Sequence, residues 1–193
     1  MIGSVLGDGW LSKPHLRANY LGIQHGGRQR EYLLWKKERF EQEGFTVSRV
    51  YDVTRKYPAF QIRVGLGAKG IELRHQFYPN GNKTVTRHHL NKLDPEGLAV
   101  WYLDDGSVTI HKRDGLIRGR EVFLCTNCFT EAENDLMAKY LEVVWGIEGK
   151  VRLVKGYPTL KFNATNAKRL FEVIGPYVPT SMAYKLDLQY QEI

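Results

Sequence analysis

The sequence predicts an α+β fold, a duplicated αββαββα unit whose two copies are related by a pseudo-twofold axis. Three observations lead there. An apolar segment ends in Asp-Gly twice, in "VLGDGW" at 5–10 and in "YLDDGS" at 102–107. Tyr57-Pro58 recurs as Tyr157-Pro158 and Pro79 as Pro179, both 100 residues apart. Helix and strand patterns also follow one order in both halves, which makes coincidence a poor explanation for short matches.

The first half opens with a short apolar helix, Met1 to Gly7, and an extended stretch around "NYLGIQ". A charged amphipathic helix, "RQREYLLWKKERFEQEG", takes Tyr32, Leu33, Leu34, Trp35 and Phe40 as its apolar positions and stops at Gly44. Strands are expected in "FTVSRVYDV" and "PAFQIRVGL", and a last helix in "KGIELRHQFY" ends before Pro79. In the second half, apolar "GLAVWYL" leads to Asp104 and Asp105, followed by strand "EVFLCT". The helix "TEAENDLMAKYLEVVWG" starts with a Thr130–Glu133 capping box. Strands "GKVRLV" and "PTLKFNA" and helix "NAKRLFEVIGPYV" complete the copy. The repeats are expected at 1–80 and 94–193, with a polar, turn-rich linker at 81–93.

With 193 residues, 42 % hydrophobic and 25 % charged, the composition is that of a globular chain rather than a disordered one. No apolar run approaches the roughly 20 residues of a membrane helix, and the start lacks a secretory pattern. The expected location is therefore the cytoplasm or an organellar matrix. Cys125 and Cys128 in "FLCTNCF" have no second pair to complete a zinc site, so they are expected to be buried, reduced thiols at a strand end. A net charge of +7 and a pI near 9.4 suit a polyanionic partner.

Strand periodicity places those charges. In "PAFQIRV", Phe60, Ile62 and Val64 face the core, and Gln61 and Arg63 face the other way. In "PTLKFNA", Leu160 and Phe162 point inward, and Thr159, Lys161 and Asn163 outward; Val151 and Leu153 are expected inside, Lys150 and Arg152 outside. Such an Arg, Lys, Gln and Asn face carries the side chains that read base edges in a major groove. Basic loops extend it: "SKPHLR" with Lys13 and Arg17, and "HKRDGLIRGR" with Lys112, Arg113, Arg118 and Arg120.

One aspartate at the end of each apolar helix would supply two hard carboxylates to a divalent cation, if the helices pack side by side. Gly3 and Gly7 would allow that approach, and the glycine after each aspartate lets the chain leave a crowded end. Alone, Gly-Asp-Gly is an ordinary turn; its recurrence at equivalent places makes it informative.

These residues resemble the LAGLIDADG homing endonucleases in their single-chain, two-repeat form. "MIGSVLGDG" (1–9) and "LAVWYLDDG" (98–106) look like the nine-residue motif, and "NKTV" (82–85), "LAVWYLDDGS" (98–107) and "PYVPTSMAYKL" (176–186) follow the I-SceI-like branch. The resemblance implies motif helices at the repeat interface and antiparallel sheets forming a saddle over double-stranded DNA. It implies Mg²⁺-dependent double-strand cleavage at a long, rare site with short 3′ overhangs, Mn²⁺ being able to substitute. Motif position eight selects Asp8 and Asp105 as metal-binding and catalytic residues. Gly7 and Asp104 stand at position seven beside the metal, Asp104 more as support. Lys83 and Lys185 match the branch's active-site lysines, and Gln24 with Thr126 or Asn127 are weaker outer candidates. Val100 stands where the motif has a small residue, so the second helix is expected to pack differently, and the chain starts right at its first motif.

Other readings carry less. His88, His89 and Asn91 superficially resemble an HNH nuclease, but they lie in the linker and are expected to meet DNA or solvent. An intein is not expected, since residue 1 is no nucleophile and no terminal His-Asn occurs. The runner-up is an RNA-binding intron-splicing maturase on the same fold, with intron RNA as partner, or a DNA-binding protein without cleavage. A monomer is expected.

Overall fold

The computed structural model describes residues 1–14 and 19–186. Its first half runs α1 (Ile2–Leu6), β1 (Trp10–Leu11), β2 (Tyr20–Gly26), α2 (Arg30–Gln42), β3 (Tyr51–Asp52), β4 (Ala59–Gly65) and α3 (Lys69–Phe77). After a short α4 (Arg87–Leu90), the same order returns as α5 (Pro95–Asp105), β5 (Gly106–Arg113), β6 (Leu116–Leu124), α6 (Glu131–Trp145), β7 (Lys150–Val154), β8 (Tyr157–Phe162) and α7 (Ala164–Ile174). Each half forms an antiparallel four-stranded sheet, ordered β1-β2-β4-β3 and β5-β6-β8-β7. The duplicated α+β fold is thus as the sequence predicts. No helix among the described residues is long and apolar enough to cross a membrane.

Close packing of α1 on α5 fixes the centre of the molecule. A Cβ on Gly3 would lie 2.0 Å from the Gly97 carbonyl oxygen, and one on Gly7 would lie 2.5 Å from Asp104 Cβ. Both glycines therefore serve the close approach expected of them. The small residue opposite Gly3 is Gly97, one turn before Val100, which explains how the second motif tolerates valine there. Asp94 caps α5 by accepting the Gly97 N–H at 2.6 Å, and Pro95 opens the helix. Trp101, Tyr102 and Leu103 are fully buried beside Val5 and Leu6. The Thr130–Glu133 capping box forms, and Gly146 ends α6 at φ +66°.

Several local expectations need correction. "HKRDGLIRGR" is no loop: it is the β5–β6 hairpin, turned by Asp114 and Gly115 at φ +54° and +77°. "FTVSRVYDV" is barely a strand, keeping Tyr51–Asp52 and a bridge from Val47 to Val64. The Ser48 hydroxyl accepts the Arg63 N–H at 2.9 Å, so a side chain replaces a backbone acceptor and breaks the ladder. Leu153, expected inside, is 68 % exposed, while Gln61 and Thr159, expected outside, are buried. The thiols of Cys125 and Cys128 are exposed, because β6 ends at Leu124 and the chain turns away. His89 meets neither DNA nor solvent: it is buried, stacked on Phe77 with ring centroids 3.8 Å apart, and its Nδ1 accepts the Thr86 N–H.

Candidate active site and nucleic-acid interface

The two Asp-Gly helix ends meet at the centre. Asp105 closes α5, and its carboxyl is pushed up to about 7, first by burial and then by Asp104 and Asp8. Asp8 follows α1, and its carboxyl is raised to about 6, again by burial and then by Asp104. Three carboxylates therefore crowd one place, and the neighbouring lysines leave part of that negative charge uncompensated.

Two lysines reach the centre in matching ways. Lys83, in the segment after α3, donates to the Gly7 and Gly9 carbonyls at 2.9 Å each. Lys185, in the 3₁₀ turn Thr180–Lys185 after α7, donates to the Asp104 carbonyl at 3.2 Å. Gly7 and Asp104 hold the same position in the two motifs, so each lysine caps the carbonyl just before its metal-candidate aspartate. Burial lowers the pKa of both ammonium groups.

Asp104 plays another part. Its carboxylate accepts two hydrogen bonds from Lys36, at 2.6 and 2.8 Å, one from the Tyr32 hydroxyl at 2.9 Å and one from the Asp8 N–H at 3.2 Å. Both oxygens are thus engaged, which suits a counter-ion more than a metal ligand. Lys36 and Tyr32 are fully buried on α2. Opposite them, from β2, His25 places Nδ1 3.4 Å from Asp8 Oδ2 and Nε2 3.9 Å from Asp104 Oδ1. Ligand atoms of Asp8, His25 and Asp104 lie within 4.8 Å of one another, although Lys36 and Tyr32 already occupy Asp104. Burial, followed by the Lys36 charge, depresses the imidazole to about 4, so the ring is neutral.

His25, Tyr32 and Lys36 escaped the sequence reading, which took Gln24 and Thr126 or Asn127 for the outer candidates. Gln24 and Asn127 are exposed, and the buried Thr126 hydroxyl donates to Asn134 beneath α6. A signal for Lys36 was present: it stands four residues after Tyr32 and four before Phe40, on the helix's apolar stripe. A lysine there requires a buried counter-charge.

On the outer sheet faces, Arg63 is exposed with its guanidinium between the Tyr20 and Tyr51 rings, 4.9 and 5.3 Å from their centroids. Gln61 lies opposite Gln24 in the neighbouring strand, covered by its surroundings. Lys150 and Arg152 are exposed on β7, and Lys13, Arg113 and Arg118 are exposed too. Lys161 is paired with Glu121, which also faces His111 Nε2 at 3.2 Å. Asn163 is a correction: its Oδ1 caps α7 by accepting the Asn166 N–H at 2.9 Å. Arg17 lies outside the described residues, as do the side chains of Lys112 and Arg120 on β5 and β6.

Comparison with known families decides the identity: the LAGLIDADG DNA endonuclease family profile matches residues 1–170. The chain belongs to the LAGLIDADG family. The homing endonuclease I-WcaI bound to its DNA recognition sequence superposes with a TM-score of 0.74 at 18 % identity, over 96 % of this chain and 83 % of that one. "Protein RecA" of Mycobacterium shimoidei is 30 % identical over 195 residues, 96 % of this chain and 45 % of that protein. The chain thus spans under half the length of that relative. A "Probable intron-encoded DNA endonuclease 3" of Mycosarcoma maydis is 35 % identical over 97 residues, half of this chain and 66 % of its own length. The chain has an aspartate at each motif end, Asp8 and Asp105, and the lysines Lys83 and Lys185.

Proposed function

We propose that the protein is a site-specific homing endonuclease that makes a metal-dependent double-strand break in a long, rare DNA target, leaving short 3′ overhangs. The observation that carries this reading is the pair of matched half-sites: an aspartate at each motif end, and beside each a lysine on the preceding carbonyl.

The donor set fits a hard divalent cation. Asp8 and Asp105 are carboxylates raised first by burial and then by their negative neighbours, and a cation beside them would relieve both. Asp8 and Asp105, with the Gly7 carbonyl nearby, would hold Mg²⁺ or Mn²⁺. When bound, the ion polarises phosphate oxygens and lowers the pKa of its water. The chain's own residues do the rest. Lys83 and Lys185 sit where phosphodiester charge develops and place an ammonium against it. Lys36 and Tyr32 hold Asp104, and through its bond to the Asp8 N–H they fix the α1 end. Arg63, Lys150, Arg152 and Lys161 on the sheet faces position the duplex across the two helix ends.

The test is target selection. Incubation with a randomised duplex pool or intron-less flanking DNA, then end mapping, should give one long site cut on both strands with recessed 5′ ends. Tight RNA binding with no duplex cut at any site would favour the maturase reading instead.

A further inference from the structure

We propose that His25 is a nitrogen ligand of the cation at Asp8, so that one half of the cleavage centre is a mixed nitrogen–oxygen site and the other an oxygen-only one. This rests on the reading above that Asp8 holds a cation.

Strand parity puts the ring there. Gln24 points to the outer sheet face, so His25 points inward, and only 3 % of the residue is exposed. Its Nδ1 stands 3.4 Å from Asp8 Oδ2. Two ligands sharing one ion at bonds of roughly 2.0–2.2 Å are separated by about 3–3.5 Å, so this is the spacing of neighbours in a coordination sphere. Nε2 is buried and has no hydrogen-bond partner, although Asp104 Oδ1 is 3.9 Å away. Buried ring nitrogens without partners are rare and call for an explanation. If Nδ1 ligates, the proton resides on Nε2 and faces the Asp104 carboxylate. That is the carboxylate–histidine–metal arrangement that orients a ligand ring. Asp104 is itself locked by Lys36 and Tyr32, so this support is rigid.

The second half has no counterpart. From the matched motif ends, Trp10 pairs with Gly22 across β1 and β2, and Ser107 pairs with Phe123 across β5 and β6. Trp10 and Ser107 each stand two residues after the motif aspartate, so Gly22 matches Phe123 and the buried Thr126 holds the place of His25. A threonine offers no nitrogen, and the Thr126 hydroxyl donates to Asn134. The two half-sites should therefore differ in metal preference: imidazole suits Fe²⁺, Ni²⁺ or Zn²⁺, whereas oxygen donors suit Mg²⁺.

The experiment is pulsed EPR of the full chain loaded with Mn²⁺, comparing wild type with His25→Leu, which keeps a side chain of similar bulk without a nitrogen. Circular dichroism and thermal melting check that the variant folds, and His25→Gln serves as a second variant. The expected result is ¹⁴N modulation from a bound imidazole in wild type, lost in both variants, with Mn²⁺ affinity reduced about 10-fold or more and Mg²⁺ affinity little changed. Mn²⁺ that binds wild type without nitrogen coupling, or coupling that persists in His25→Leu, overturns the proposal. In that case the Nδ1 proton is simply donated to Asp8. Asp8→Asn separates the two readings. If it leaves Mn²⁺ binding intact, or if wild type binds no Mn²⁺, the assignment of the cation to Asp8 fails, and this inference fails with it.

Discussion

The Lys36 ammonium lies 2.6 Å from the Asp104 carboxylate, both side chains wholly out of solvent, in a pair that joins α2 of the first half to α5 of the second. Removing one partner strands the other charge, whereas removing both leaves no buried charge, although the Tyr32 hydroxyl and the Asp8 N–H then lose that acceptor. Lys36→Met should cost about 3–5 kcal/mol in urea unfolding, and Lys36→Met with Asp104→Leu should recover part of it, those two donors having lost Asp104. A single-variant loss below about 1 kcal/mol would mean that the pair is not buried as described.

Gly3 touches the Gly97 carbonyl with no room for a methyl group. Gly3→Ala must push α1 from α5, at a cost of about 1–3 kcal/mol. The same shift moves Asp8 relative to Asp105, so cleavage should fall further than stability explains. Urea melts and single-turnover cleavage, measured together, separate the two effects.

Much of this was legible in the sequence. The motif register picked Asp105 over Asp104 as the partner of Asp8, because glycine after each aspartate marks the helix end. The lysines were legible because each follows the last helix of its half. His25 and Tyr32 were not: a histidine in a strand and a tyrosine in a helix gain meaning only when Asp104 is placed between them. Asn163 was misread because strand alternation was carried one residue too far, onto a helix cap. The β5–β6 hairpin was hidden by its charge, although Asp114-Gly115 is a common hairpin turn.

Acid titration gives a third prediction. In the folded, metal-free protein Asp105 titrates near 7, above the ordinary aspartate value of 3.8. Between those values the folded state holds the extra proton, so this group lowers stability as pH rises toward 7. His25 and His89, both depressed to about 4, act oppositely between about 4 and 6.5, so the wild-type profile alone is ambiguous. Asp105→Asn isolates the effect. Without divalent ions it should melt higher than wild type at pH 8, by about 1 kcal/mol or more, some 2–4 °C in a chain of this size. The gap should close near pH 4. An equal gap at both pH values would place its cause elsewhere.

The sheet faces make a fourth prediction. Arg63→Ala, if the guanidinium reads a base bidentately, should relax preference at one position by about 1–3 kcal/mol. Lys150→Ala, as a phosphate contact, should weaken binding evenly across sequences and reduce the salt slope by about 1. Binding isotherms on substituted targets at several salt concentrations distinguish these cases, and an unchanged preference and slope in both variants would put the wrong face on the DNA.

The central claim, that Asp8 and Asp105 are two halves of one metal-dependent cleavage centre, is tested most directly by Asp8→Asn and Asp105→Asn on the cognate duplex. Each variant should bind the target nearly as tightly as wild type in a gel-shift assay, while double-strand cleavage in Mg²⁺ is lost. Full-rate cleavage of both strands by either variant would contradict the account.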